Sequence, residues 1–216
     1  MAEKICFIVT ENNKVVEEPI NYTFVKGLAF SQRIKCALSL HNSIVRVFPN
    51  KKHLEISTKS QENLGKQLSA FNLKIDNYFF ESIFQSSKVF EGNIKFDFLI
   101  SASPNDARKY VKTNKKGNLI KFNYLGIDYP LIPKTAFYDW IYINALEQND
   151  LSKQLNDYDI FSDIEFNDKK SLNCQARAAA FYVAILRSGK KDFYLSNFEN
   201  FKLIYSDFRE PSLSLF

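Results

Sequence analysis

A carboxylate, an amide and an amine follow one another at helical spacing in the middle of the chain. Residues 77–90 contain no Gly or Pro, so the stretch is predicted to be a helix. At about 100° per residue, Glu81, Gln85 and Lys88 share one face of that helix, with phenylalanines beside them. Such a face can be a solvated stripe, since polar pairs at i,i+3 and i,i+4 are common on surfaces. The alternative is a lysine nucleophile in a partly apolar pocket, with a carboxylate within reach to move protons.

A nucleophilic lysine must lose its proton before it can attack. At a reference pKa of about 10.4, only about one lysine in 2,500 is neutral at pH 7. A phenylalanine-lined pocket would lower the pKa of Lys88 by desolvation, and Glu81 is then the natural proton shuttle. The two residues are about two helical turns apart, roughly 10 Å along the axis. We therefore expect Gln85 to lie between them, and the acid and the amine to approach a ligand from two ends.

Composition limits the kinds of chemistry that the chain can use. The 216 residues suit one domain with a real core, and 45% apolar with 25% charged residues is ordinary for a soluble protein. Six Gly argue against a Gly-rich phosphate loop, and three Cys without a C-x-x-C pair and two His make a metal site improbable. We therefore expect no metal and no cofactor, and free thiols in a cytoplasmic location. We also expect no membrane contact, because the longest apolar run, Ala178–Leu186, is too short to span a bilayer.

The densest basic stretch follows Ser103-Pro104, which is typical of the N-cap and first residue of a helix. A solvated face is one interpretation of this stretch. The other is a phosphate-facing patch, in which Arg108 would hold a pyrophosphate and nearby lysines would neutralise a DNA backbone. The net charge of +5 permits nucleic-acid contact without requiring it. The candidate DNA-binding residues are Lys112, Lys115 and Lys116.

The remaining patterns predict an α+β fold that is predominantly helical, with short strands. Strands are expected at 4–9 and 20–25, and an amphipathic helix at 31–47 with Leu38 and Val45 among its core positions. A hairpin is expected around Gly126, and helices at 135–147 and 171–187. Residues 1–53 are interpreted as an N-terminal β-hairpin and helix extension, packed on one globular unit formed by 54–216.

These motifs, in this order and spacing, resemble the NADAR family, the YbiA-like N-glycosidases, over roughly residues 54–187. Ser69–Leu73 is similar to the family's Ser-Asn-Phe-type loop, and the helix that follows to its Glu-x-x-x-Gln-x-x-Lys pattern. Residues 135–147 are similar to the family's Asp-x-Val-Met-x-x-Ala-Leu helix. Residues 161–167 take the place of an Asp-x-x-Trp-Gly segment, with Phe166 for Trp and Asn167 for Gly. The pattern is most similar to the subgroup found beside DarT-type DNA ADP-ribosyltransferase toxins.

The resemblance implies an enzyme that removes ADP-ribose from guanine in DNA and acts as antitoxin to a DarT-type toxin, with ADP-ribose as product. It implies that Lys88 forms a Schiff base with the sugar and that Glu81 is the second catalytic residue. Trp140 could pack in the core or stack on a purine, and Asp163 could bind ribose hydroxyls or serve as a turn acid. The expected substrate-binding residues are Asn72, Gln85, Arg108, Trp140, Asp163 and Asn173.

Two other functions stay open at this point. One is YbiA-like hydrolysis of a small N-glycoside, such as a riboflavin-pathway intermediate. The other is a non-catalytic module that binds ADP-ribose or nucleic acid. Turnover of free glycosides but not of modified DNA would favour the first, and binding of ADP-ribose without turnover would favour the second.

Overall fold

The computed structural model of the chain describes residues 1–27, 29–167 and 171–210. The strands in these residues are β1 (Ala2–Val9), β2 (Val15–Tyr22), β3 (His53–Glu55), β4 (Lys74–Ile75), β5 (Tyr78–Phe79), β6 (Lys88–Phe90), β7 (Ile94–Lys95), β8 (Leu119–Tyr124), β9 (Ile127–Tyr129), β10 (Ile160–Ser162) and β11 (Arg209–Glu210). The α-helices are α1 (Phe30–Val47), α2 (Asn63–Gln67), α3 (Phe80–Ser86), α4 (Pro104–Asn114), α5 (Ala136–Glu147), α6 (Gln175–Arg187), α7 (Lys191–Leu195), α8 (Phe198–Lys202) and α9 (Ile204–Asp207). None of these helices is long and apolar enough to cross a membrane, as far as the described residues go.

The chain divides into two compact units. Unit 1 comprises Met1–Ser69 and the described part of Asn149–Phe216, and unit 2 comprises Ala70–Gln148. This division does not follow the expected boundary after residue 53. The reason is long-range strand pairing, because the strands near the N-terminus belong to the same sheet as β10, more than 100 residues later.

Unit 1 is built on a five-stranded sheet in the order β11-β2-β1-β10-β3. β1 pairs antiparallel with β2 on one side and β10 on the other, and β3 lies parallel to β10. Four consecutive residues of β1, Cys6–Val9, are buried, which requires cover on both faces because side chains alternate along a strand. Helix α1 contacts β2 and β3, and α6 contacts β1 and β10.

The buried face of α1 differs from the expected one. Cys36, Ala37, Leu40 and Ile44 form it, whereas Leu38 and Val45 are 39% and 42% exposed, so their assignment to the core was wrong. The apolar residues of this helix are spread around its circumference, and the sequence pattern alone does not show which stripe meets the sheet.

Unit 2 has an aromatic core between α3, α5 and a four-stranded sheet in the order β7-β6-β8-β9. Phe122 of β8 stacks on Phe137 of α5, with ring centroids 4.4 Å apart, and lies 5.6 Å from Phe84 of α3. Phe80 meets Tyr142 of α5 edge-on at 5.3 Å. These rings hold α3 against the sheet, as aromatic pairs with this geometry stabilise a core beyond their buried area.

Candidate active site

Helix α3 carries the acid and the amide, and the preceding loop holds its first turn in place. The amide of Phe80 donates to the carbonyl of Leu73 at 2.9 Å, and that of Glu81 to the carbonyl of Ala70 at 3.2 Å. These bonds satisfy amide groups that a helix start would otherwise leave unpaired. They also fold the loop at residues 69–73 back beneath the helix start, so the two motifs of the sequence form one structure.

The helix ends earlier than the sequence pattern predicts. The hydroxyls of Ser86 and Ser87 both donate to the carbonyl of Ile83, at 3.0 and 2.8 Å, which competes with continuation of the helix. Lys88 therefore begins β6, where it pairs with Phe122 of β8. The prediction of one helix over 77–90 was wrong, because two serines and the strand-forming pair Val89-Phe90 end it.

The acid, the amide and the amine nevertheless form a continuous chain of hydrogen bonds. The Lys88 Nζ donates to Gln85 Oε1 at 2.8 Å, and Gln85 Nε2 donates to Glu81 Oε1 at 2.9 Å. An ammonium only donates and a carboxylate only accepts, so the two neighbours determine the orientation of the amide. Gln85 thus bridges the two ionisable groups and links their positions.

Burial leaves a larger fraction of Lys88 in the neutral form than an exposed lysine would have. The side chain is half-buried, and its Nζ lies 4.5 Å from the centroid of the Phe84 ring. Desolvation lowers the pKa of Lys88 to about 8; Glu81 opposes this shift, while the positive charges of Arg108 and Lys115 add to it. With a pKa of about 8, about one lysine in ten is neutral at pH 7.

The carboxyl group of Glu81 is buried with one oxygen engaged. Burial raises the pKa of Glu81, against the hydrogen bond from Gln85 and the charge of Arg108. The Arg108 Nε lies 3.4 Å from Oε1, the same oxygen that Gln85 contacts. In the part of the chain that the structure describes, no hydrogen bond reaches Oε2. Oε2 therefore takes no part in the contacts that hold Oε1.

A cleft of about 630 Å³ opens beside Lys88, within the usual volume range of small-ligand sites. Its described lining holds five cationic side chains and no acidic one, above an apolar floor. Such a surface favours a ligand with several negative charges. The lining residues are Gln85, Lys88, Phe90, Asn105, Arg108, Lys109, Val111, Lys112, Lys115 and Leu119.

Helix α4 supplies half of this lining from a single face. Ser103 caps the helix as predicted, accepting a hydrogen bond from the amide of Asp106. The cleft residues at 105, 108, 109 and 112 follow the i, i+3, i+4, i+7 spacing of one helix face. Lys109 belongs to the basic stretch that the sequence offered as a phosphate-facing patch. Asn105 was not among the expected site residues, although projecting the predicted helix around Arg108 would have found it. Arg108 itself is 57% exposed, and its guanidinium lies 5.3 Å from the centroid of the Phe71 ring.

The three lysines expected to bind DNA do not share one environment. Lys112 and Lys115 line the cleft, whereas Lys116 is exposed outside its described lining. Of the other expected site residues in unit 2, Asn72 is exposed in the loop before β4, and Trp140 is half-buried on α5. Neither lines the cleft, so their roles stay predictions.

Asp163 and Asn173 belong to unit 1. Asp163 is buried, and its Oδ1 accepts from the amides of Glu165 and Phe166 at 2.9 and 3.1 Å, which are the contacts of a turn acid. Burial, reinforced by the charge of Glu55, raises the pKa of Asp163 to about 8. Asn173 is half-buried just before α6. Ribose binding by either residue stays a prediction.

The two histidines form a second polar chain, also in unit 1. The Nδ1 atoms of His41 and His53 lie 2.9 Å apart, His53 Nε2 lies 2.8 Å from Ser162 Oγ, and that hydroxyl donates to Glu55. Burial lowers the pKa of His53 to about 3, so it is neutral at physiological pH. Within the described ranges, no group of three His, Cys, Asp or Glu side chains is placed to hold a metal ion.

Comparison with known families finds a family whose model covers nearly the whole chain. The family model for DarT1-associated NADAR antitoxins matches residues 2–213. No curated protein matches the chain. The matched region is longer than the resemblance over residues 54–187 and takes in the first 53 residues, which share a sheet with later parts of unit 1. The chain belongs to the family of DarT1-associated NADAR antitoxins.

Proposed function

We propose that this protein removes ADP-ribose from guanine bases in DNA and thereby counteracts a DarT-type toxin. The observation that carries the proposal is the chain of hydrogen bonds from Lys88 through Gln85 to Glu81, at the edge of a cationic cleft. Membership of an antitoxin family that is associated with DarT1 supports the pairing with such a toxin. The proposed products are the unmodified base and free ADP-ribose.

In the first step, the neutral amine of Lys88 attacks the anomeric carbon as the bond from that carbon to the guanine nitrogen breaks. The leaving base takes a proton from Glu81, whose raised pKa favours the protonated acid. The electron pair of the broken bond stays on the base. The result is a ribosyl-lysine adduct and restored guanine.

In the second step, the sugar ring opens, and the adduct becomes a protonated Schiff base between Lys88 and the anomeric carbon. Glu81, now a carboxylate, takes a proton from water as that water adds to the same carbon. Loss of the amine then releases ADP-ribose and regenerates Lys88. Together the two steps amount to hydrolysis. The hydrogen bonds of Gln85 hold the Lys88 amine and the Glu81 carboxyl group in fixed relative positions in both steps.

The cationic residues of the cleft are suited to binding the phosphates of the substrate rather than to breaking the bond. The Arg108 Nε faces Glu81, which leaves the outer edge of the guanidinium for a diphosphate, and planar bidentate contact suits that group. Lys112 and Lys115 lie on the same lining and would neutralise phosphates of the ADP-ribose or of the strand. We expect binding to weaken as salt rises.

The test is a single-turnover assay on an oligonucleotide that carries ADP-ribosylated guanine. Lys88→Ala should abolish turnover, and Glu81→Gln should lower its rate by about 10²–10⁴-fold while substrate affinity changes little. The control is Lys153→Ala, an exposed lysine of unit 1 that lies outside the described cleft lining. Turnover of small N-glycosides but not of modified DNA would move the assignment to a YbiA-like activity. Binding of ADP-ribose without any turnover would make the protein a binding module.

The contribution of the lysines can be separated in the same assay. Lys112→Ala and Lys115→Ala should each weaken binding and lower the slope of log affinity against log salt by about 0.9 if each contacts one phosphate. Equal losses on modified DNA and on free ADP-ribosyl-guanosine would mean that these lysines contact the diphosphate. A loss confined to DNA would mean that they follow the strand.

A further inference from the structure

Arg108 lies against the acid of the candidate active site without being held by it. Its Nε is 3.4 Å from Glu81 Oε1, longer than the about 2.7–2.9 Å of a charge-assisted hydrogen bond. Among the residues that the structure describes, the guanidinium makes no hydrogen bond, so its five N–H donors are open to a ligand. The side chain is 57% exposed and rests beside the Phe71 ring. Arg108 can therefore meet a second anion from the cleft while it still faces Glu81.

Opposing influences act on the proton of Glu81. Burial raises its pKa, whereas the hydrogen bond from Gln85 and the charges of Arg108 and Lys88 lower it. Gln85 and Lys88 are tied into the chain of hydrogen bonds that leads to Glu81. Arg108 is the exposed member of the three, and its contact is the loosest. A ligand that neutralises or displaces the guanidinium therefore favours the protonated form of Glu81.

The cleft favours a diphosphate as that ligand. Arg108 shares the lining with Lys109, Lys112 and Lys115, and the described lining holds no acidic side chain. A diphosphate can take planar, bidentate hydrogen bonds from a guanidinium. These bonds are shorter and better aligned than the contact at 3.4 Å with Glu81. The diphosphate and the carboxylate thus compete for one guanidinium, and the geometry favours the diphosphate.

We propose that Arg108 makes proton donation by Glu81 conditional on a bound diphosphate. This inference rests on the proposed function, in which Glu81 protonates the leaving guanine. Without a diphosphate, Arg108 stabilises the Glu81 carboxylate, which has no proton to give. With a diphosphate on the guanidinium, that stabilisation is lost, and Glu81 takes up one proton from solvent. The diphosphate of ADP-ribose would then increase the rate of bond cleavage and not only the affinity.

Single-turnover rates at saturating protein separate this effect from affinity. The two substrates are oligonucleotides in which guanine carries either ADP-ribose or ribose alone. At about pH 9, Lys88 with its pKa of about 8 is mostly neutral, so the rate reports the protonated fraction of Glu81. Wild type should cleave the ADP-ribosylated substrate at least about tenfold faster, the effect of about one pKa unit at Glu81. Inorganic pyrophosphate should raise the wild-type rate on the substrate that carries ribose alone.

Arg108→Gln removes the charge beside Glu81 at an exposed position. In this variant the rates on the two substrates should lie within about twofold of each other at saturation, and pyrophosphate should have no effect. The matched control is Lys109→Gln, which removes the next charge of the cleft lining, one that does not act on Glu81. Lys109→Gln should weaken binding of the ADP-ribosylated substrate but keep the tenfold ratio of rates.

Infrared difference spectroscopy observes the proton without any turnover. At a pH near the midpoint of the Glu81 titration, pyrophosphate added to wild type should produce the carbonyl band of a protonated carboxyl group. The band should not appear in Glu81→Gln, which has no carboxyl group at this position. It should also not appear in Arg108→Gln, in which Glu81 is already protonated at that pH, whereas Lys109→Gln should still show it.

Equal saturating rates on the two substrates in wild type, or a tenfold ratio that persists in Arg108→Gln, would overturn the role of Arg108. A wild-type protein that cleaves neither substrate would instead refute the proposed function. The infrared band would then still decide the coupling, because its absence from wild type overturns the coupling and its loss in Arg108→Gln supports it.

Discussion

The buried charge of Lys88 should lower the free energy of unfolding of the protein, and comparison with Lys88→Met measures by how much. The pKa of Lys88 falls from 10.5 to about 8 in the native protein. The unfolded chain therefore binds this proton more tightly, and below pH 8 the ammonium costs the native state about 3 kcal/mol. Methionine has a similar shape and no charge. It leaves Gln85 Oε1 without its donor, which costs about 1–2 kcal/mol.

The net expectation is a variant more stable than wild type by about 1–2 kcal/mol at pH 7, which raises the Tm by roughly 2–8 °C for a chain of this size. The sign of the pH dependence follows from the lowered pKa. Wild-type stability should rise relative to the variant as pH increases from about 8 to about 10.5, because over that range the native protein has lost this proton while the unfolded chain still binds it. The difference in Tm should therefore shrink, or reverse, over that window.

Thermal denaturation of both proteins between pH 6 and pH 10.5 tests this reasoning, with Lys116→Met as the exposed control. A Lys88→Met protein that is less stable than wild type at pH 7, with the same difference at pH 10, would refute it. Lys88 would then be an ordinary paired lysine that contributes to stability, and its suitability as a nucleophile would lose its physical basis.

Three further predictions follow from the same contacts. The pH dependence of amine modification at Lys88, followed by mass spectrometry, should move to lower pH in Glu81→Gln and to higher pH in Arg108→Gln, because these charges act in opposite directions; shifts of the same sign would contradict the assignment. Gln85→Leu should lower turnover more than it lowers ADP-ribose affinity, and comparable losses in the two measurements would mean that it does not position the catalytic pair. Because the pKa of Asp163 is raised in the native protein, wild-type stability should fall as pH rises from about 4 to about 8, and chemical denaturation should show no such fall for Asp163→Asn. Weakened ADP-ribose binding with unchanged stability in this variant would instead support a role of Asp163 in ribose binding.

Local signals in the sequence identified most elements of unit 2. Ser103-Pro104 predicted the start of α4, and Gly126 marked the β8–β9 turn, because caps and turns depend on a few adjacent residues. The spacing of Glu81, Gln85 and Lys88 brought the right three side chains together although the helix ends before Lys88. That success depended on Lys88 reaching Gln85 from the first residue of β6, which the pattern could not show.

The features that sequence patterns missed depend on partners far along the chain. The place of β1 between β2 and β10 joins residues about 150 positions apart, and no local pattern encodes such a pairing. Asp163 was a candidate for ribose binding because it takes the place of the acid in the family's Asp-x-x-Trp-Gly segment. It is buried because β10 and its continuation enter the core of unit 1, a consequence of that same pairing.

Borohydride reduction during turnover tests the central claim most directly. With ADP-ribosylated oligonucleotide as substrate, the account predicts that reduction traps the Schiff base and adds one ADP-ribose-derived mass at Lys88, with loss of activity in proportion to the modified fraction. Lys88→Ala should take up no such mass. Full turnover with no trapped adduct, or an adduct on another residue, would contradict the assignment of Lys88 as the nucleophile.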